Sequence, residues 1–220
     1  MFDITLARVY GSSSVGVFLA TNNLVTIVPP DVPEKIDDVV KTTLRTTVVR
    51  HTVARSPLLG IFLVLNDNGI LLPPLALEEE VKLFKSLGLN VAMLNTRYTA
   101  ISNLVLTNNR LALASPLLET PVRRTVADIL GVEVVVDSIA GNPLVGSLAV
   151  VNNRGMLVAP EATDEDLKKL AGYFKLRIDV GTVNRGKSFL RGSIVANDYG
   201  ALVGDETAGP ELMRISQVLG

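Results

Sequence analysis

One motif governs what this chain can fold into: an apolar stretch, an Asn-Asn or Asn-Asp pair and a second apolar stretch, repeated five times. The copies read FLATNNLVTIVPP, FLVLNDNGILLPP, LVLTNNRLALASP, LAVVNNRGMLVAP and SIVANDYGALVGD. Their leading asparagines, Asn22, Asn66, Asn108, Asn152 and Asn197, are spaced by 44, 42, 44 and 45 residues. Eight residues beyond each stand Pro30, Pro74, Pro116, Pro160 and, departing from the pattern, Asp205. A period of this length marks a repeat architecture, in which one unit is too small to bury its own apolar face and must stack on its neighbours.

Each Asn pair predicts a β-hairpin, because Asn and Asp tolerate left-handed backbone and the glycines at 69, 155 and 200 supply positive φ. Apolar residues then recur near every 3.6 positions: Ile36, Val39 and Val40; Leu77, Val81 and Phe84; Val122, Val126, Ile129 and Leu130; Leu167, Leu170, Ala171 and Phe174; Leu212, Ile215 and Leu219. These are five short amphipathic helices. Thr120 before Pro121 and Thr163 before three acids read as helix starts, and Gly88 and Gly131 as stops. A third strand follows in four units, as TVVRHTVA, NVAMLNT, VEVVVDSI and KLRIDVGT. The fifth unit lacks one, and the N-terminal DITLARVYGSSSVG has the missing shape. The expectation is a single α/β (α+β) domain over 1–220, with units 16–59, 60–102, 103–145, 146–191, and 192–220 completed by 1–15. The units form a five-fold β/α-propeller ring closed by pairing of the N- and C-terminal segments, which leaves no open sheet edges to cap.

With 48% hydrophobic and 20% charged residues, the 220-residue chain has ample apolar side chain for a core. The 21 basic and 22 acidic residues nearly cancel, which excludes an overall electrostatic drive toward nucleic acid or anionic lipid and confines any RNA contact to local patches. The absence of cysteine removes thiolate nucleophiles, disulfides and Cys metal sites, and suits a reducing cytoplasm. Apolar runs such as GILLPPLAL are broken by Pro and fall short of the roughly 20 residues a membrane-spanning helix needs. The acid-bearing N-terminus is unlike a signal peptide. A soluble cytoplasmic protein is expected.

Residues 181–188, GTVNRGKS, satisfy the phosphate-loop pattern. Such a loop needs a helix directly after its Ser, whereas SFLRG here runs into the next strand, and the repeat register makes 181–192 an inter-unit loop like 137–146. Nucleotide binding is the minor alternative, and a non-catalytic protein- or RNA-binding scaffold the bland one. His51, the only histidine, has no second imidazole to share a metal and no nucleophile to activate, and reads as a packed strand residue. The acids at 78–80 and 164–166 fall in first helical turns, where they complement the helix dipole. Arg185, Lys187 and Arg191 form a small basic spot in one loop, a candidate contact for RNA phosphates. The unit-ending loops SSSVG, SPLLG, TAISN, NPLVG and SFLRG converge by symmetry on one end of the ring. There Leu58, Leu59, Ile101, Leu144, Val145 and Leu190 are either inner packing or a binding patch.

The GTVNRG of 181–186 followed by the hairpin VANDYGAL, the PLVGS of 143–147, the DSIAG leading into it and the NNRGMLVAP unit resemble the archaeal and eukaryotic translation initiation factor six family. The resemblance covers the whole chain and implies the pentein ring, five quasi-equivalent units with paired termini. It implies no catalysis, no cofactor and no metal. It implies instead a monomer that binds the intersubunit face of the large ribosomal subunit, on a ribosomal protein beside the sarcin-ricin loop, and blocks the small subunit by bulk. Carried over by position, the partner face is Ser14, Val15 and Gly16; Leu58, Leu59 and Gly60; Ile101, Ser102 and Asn103; Leu144, Val145 and Gly146; Leu190, Arg191 and Gly192. The five residues at its centre are Gly16, Gly60, Asn103, Gly146 and Gly192, Asn103 being the polar exception. Unlike the eukaryotic pattern, the sequence ends after the fifth helix and carries no cysteine. The pentein fold also hosts guanidino-group enzymes that need a Cys nucleophile and a His, which zero Cys and one His exclude.

Overall fold

The computed structural model describes residues 2–220. Within them the five hairpins form as expected, each extended by a third strand into a separate three-stranded sheet. The first sheet joins Ala20–Thr21, Val25–Val28 and Thr47–Arg50. The second joins Val64–Leu65, Gly69–Leu72 and Asn90–Met93, and the third Val105–Thr107, Leu111–Ala114 and Glu133–Val136. The fourth joins Ala149–Val151, Gly155–Val158 and Arg177–Val180. In the fifth, Ile194–Ala196 and Gly200–Gly204 take their third strand from Asp3–Ala7, with Asp3 opposite Gly200 and Ala7 opposite Gly204. Each third strand runs parallel to the middle one, and in the first four units a helix makes the crossover between them: Lys35–Thr43, Glu78–Ser86, Thr120–Leu130 and Asp164–Phe174; the fifth helix, Gly209–Leu219, follows its middle strand without leading into the third. Thr163 caps the fourth by accepting from the Asp166 N–H. The third starts with Glu119 rather than Thr120 at the N-cap position, one residue earlier than Thr-Pro suggested, and the Glu119 side chain makes no capping bond.

The hairpins form by a different device from the expected one. Gly69, Gly155 and Gly200 do not adopt positive φ. Instead the Oδ1 of each leading asparagine accepts the N–H groups two and three residues on, as Asn22 does from Leu24 at 2.8 Å and Val25 at 2.7 Å. The side chain thus closes the turn itself. The glycines are needed for space: a Cβ on Gly155 would lie 1.8 Å from the Val218 carbonyl oxygen, on Gly69 2.3 Å from that of Ile129, and on Gly200 2.4 Å from that of Thr43. All three carbonyls belong to the last turn of the next unit's helix, so each of these helices lies on the preceding unit's sheet.

The core follows from that stagger. It divides into five apolar clusters, each drawing on two adjacent units: Val64 and Leu71 pack with Leu104, Ala112 and Val126, and Val195 and Leu202 with Val15, Leu19 and Val40. Since the apolar interior lies between units, each unit depends on its neighbours for burial.

Candidate functional site

Two circuits of hydrogen bonds link the five units. In the first, the amide of each leading asparagine donates to the main-chain carbonyl of the next: Asn22 to Asn66 at 2.8 Å, Asn66 to Asn108 at 3.1 Å, Asn108 to Asn152 at 3.0 Å, Asn152 to Asn197 at 3.0 Å, and Asn197 back to Asn22 at 3.0 Å. Where the neighbouring helix comes closest, the second amide proton reaches its end: Asn66 bonds the Leu130 carbonyl, Asn152 that of Leu219 and Asn197 that of Leu44. In the second circuit, each of Asn23, Asp67, Asn109, Asn153 and Asp198 donates its N–H to the Oδ1 of the next. The mixture of Asn and Asp has a reason: Asp67 Oδ2 accepts from both Asn23 and Asn109, and Asp198 Oδ2 from both Asn23 and Asn153. Five is odd, so alternation of donor and acceptor fails once, and Asn109 adjoins Asn153.

At the other end, the inter-unit loops become short helical turns beginning at Val15, Leu59, Ile101, Val145 and Leu190. These five side chains are 0% exposed, one in each apolar cluster. They are inner packing and present no surface to a partner. The second residue of each turn lies six positions before the leading asparagine and is Gly16, Gly60, Ser102, Gly146 or Arg191. Asn103 and Gly192 therefore do not stand with the glycines; each lies one residue further along, and the third and fifth units begin one residue earlier than the loop sequences suggested. A Cβ on Gly16 would meet the Arg191 carbonyl oxygen at 1.9 Å, on Gly60 that of Gly16 at 1.8 Å, and on Gly146 that of Ser102 at 1.8 Å. Where a side chain replaces glycine, at Ser102 and Arg191, the same approach is barred and the turn is 3₁₀ rather than α.

Outside this packed layer lie the half-buried Ser14, Leu58, Asn103, Leu144 and Gly192. Asn103 and Leu144 share a groove of about 280 Å³ with Arg97, Tyr98, Leu104 and Leu117. The Arg97 guanidinium stacks 5.0 Å over the Tyr98 ring and donates to its hydroxyl at 2.8 Å. Sequence reasoning missed Tyr98 and Leu117, whose apolar surface is brought to Asn103 only by the fold.

The basic spot divides. Arg185 and Lys187 are exposed, with Lys187 Nζ 3.9 Å from Glu206, whereas Arg191 lines a central cavity with residues of all five units. Arg191 is thereby removed from the RNA-contact set. Nor is the loop at 181–188 a phosphate cradle. Asn184, Arg185 and Gly186 do adopt positive φ, but the N–H groups of Arg185 and Gly186 donate to the Glu211 carboxylate at 3.1 and 2.9 Å. Burial alone would raise the Glu211 pKa; donors from Ala208, Thr182, Gly186 and Arg185 outweigh it and hold the carboxyl below its ordinary value. The Glu80 carboxylate accepts from the Ala54 and Leu77 N–H groups. His51 is half-buried, its Nδ1 2.6 Å from the Thr52 carbonyl and its ring edge-on to Phe84.

Five like units joined through asparagine circuits define a pseudo-five-fold repeat protein. The eIF-6 family matches residues 4–218. Translation initiation factor 6 of Pyrobaculum aerophilum is 76% identical over 220 residues, covering 100% of both chains, and that of Pyrobaculum arsenaticum is equally similar. Translation initiation factor 6 of Saccharolobus islandicus is 40% identical over 215 residues, 96% of each chain. The chain belongs to the eIF-6 family of translation initiation factors.

Proposed function

We propose that this translation factor is a single-domain, closed five-fold pentein ring that binds the large ribosomal subunit on its intersubunit face and prevents the small subunit from joining. It acts as a monomer in the cytoplasm, by bulk rather than by catalysis. The contact is with a ribosomal protein near the sarcin-ricin loop, and Arg185 and Lys187 reach nearby RNA phosphates. The observation that carries this reading is the face built on the five short turns. Three of the turns approach one another closely at glycine, and the outer side of the layer offers the half-buried Leu58, Leu144 and Asn103 and the groove against Tyr98 and Leu117 as an apolar surface with polar groups at its edge. A stable contact needs about 800 Å² per partner, which one end of such a ring supplies.

Sedimentation with separated ribosomal subunits tests it. The wild-type chain is expected to travel with the large subunit alone, and Leu58→Asp with Leu144→Asp to abolish that binding while the circular dichroism spectrum is unchanged. Failure to travel with either subunit, or undiminished binding by the double variant, would refute respectively the function and the face.

A further inference from the structure

The central cavity holds one charged side chain. Its wall draws on all five units and is apolar apart from Thr21 and Thr107, with Arg191 reaching in from the turn at Leu190–Gly192. No wall residue is acidic. Among the described residues Arg191 enters no ion pair and its guanidinium makes no hydrogen bond. The wall hydroxyls are committed elsewhere, Thr21 to the Asn22 carbonyl and Thr107 to the Asn108 carbonyl. Loss of water pushes the Arg191 pKa down to about 10, with no carboxylate opposing the fall, so the group stays protonated at neutral pH and its charge has no protein counterpart.

Arg191 is half-buried, with its guanidinium turned into the cavity and no counter-charge on the wall, and the position does not require a cation, since Gly16, Gly60 and Gly146 occupy it in three other units. The remaining unit has Ser102, 0% exposed, whose hydroxyl is also without a partner. Neither polar departure from glycine in this layer has a side-chain partner within the described residues. The cavity offers about 40 Å³ to the centres of water-sized particles, room for a small ion and one or two waters but not for an organic ligand.

We propose that the central cavity is a binding site for a small monovalent inorganic anion of chloride size, held by the Arg191 guanidinium. The anion supplies the missing charge and ties the turn at Leu190–Gly192 to the other units from inside, apart from any contact the outer face makes.

Bromide and chloride are the probes. In crystals grown in sodium bromide, one anomalous peak is expected within hydrogen-bond distance of the Arg191 guanidinium, inside the cavity. In solution, ³⁵Cl NMR line-broadening by the full chain should contain a saturable part that bromide displaces. Arg191→Met, which keeps length and apolar bulk, should lose it, and Arg191→Lys should retain part of it. A peak-free cavity filled only by water, or equal saturable broadening by wild type and a folded Arg191→Met, would overturn the proposal. Should Arg191→Met not fold, the bromide peak in the wild-type crystal decides alone.

Discussion

The side-chain amide of Asn197 donates to the main-chain carbonyl of Asn22 at 3.0 Å, across 175 residues of sequence. It is the bond that returns the asparagine circuit to its start. The same amide donates to the Leu44 carbonyl at 2.7 Å, while its Oδ1 accepts from Tyr199 and Gly200. Asn22 makes the same contacts except the one to a helix end. Removing a buried side chain with four partners strands groups that have no water to turn to. Asn197→Ala is expected to cost about 3 to 4 kcal/mol, and Asn22→Ala about 1 kcal/mol less. Denaturant unfolding of the two variants measures the difference, and equal losses would show that the helix-end bond contributes nothing.

Gly155 and Gly172 give opposite responses to one methyl group. A Cβ on Gly155 would stand 1.8 Å from the Val218 carbonyl oxygen, whereas one on Gly172, in the helix Asp164–Phe174, meets nothing within 4 Å. Gly155→Ala should destabilise by at least about 3 kcal/mol by forcing the last helix off the sheet, and Gly172→Ala should stabilise by about 0.5 to 1 kcal/mol through helix propensity. The order of the two melting temperatures checks it.

Glu211 ties the helix Gly209–Leu219 to the left-handed loop at Arg185 and Gly186. Its folded pKa lies below the ordinary carboxylate value, so its contribution is present above the unfolded pKa and is lost as pH falls through the folded one. Stability should therefore drop on acidification below the ordinary carboxylate range, and Glu211→Gln should be less stable at neutral pH with a flatter acid limb. Parallel pH profiles for variant and wild type would contradict this.

Loss of the strand Asp3–Ala7 exposes the Gly200–Gly204 edge and removes apolar cover from the last helix, since Phe2 and Ile4 pack against the cluster that holds Ile215, Val218 and Leu219. A chain lacking residues 2–7 is expected to aggregate or to melt far below the full chain. An unchanged melting temperature would show that the pairing is dispensable.

The repeat was legible because hairpin, helix and third strand each carry their own periodicity, and even Asp3–Ala7 was recognisable as the missing strand. The turns were harder to read. Gly69 and Gly155 looked like positive-φ residues, yet what they serve is the approach of a helix from another unit, a tertiary contact invisible in local sequence. Aligning Asn103 and Gly192 with Gly16 rested on residue type. Counting back from the invariant hairpin asparagine would have placed Ser102 and Arg191 there. The inward reach of Arg191 left no local signal, since a loop Arg between Leu190 and Gly192 reads as surface.

The most direct test of the account is subunit joining followed by light scattering, with the chain added to large subunits before the small ones. The signal for association should fall in proportion to added protein and vanish near one chain per large subunit, with Leu58→Asp plus Leu144→Asp restoring it. Full association in the presence of excess wild-type chain would contradict the proposal that this member of the eIF-6 family keeps the subunits apart.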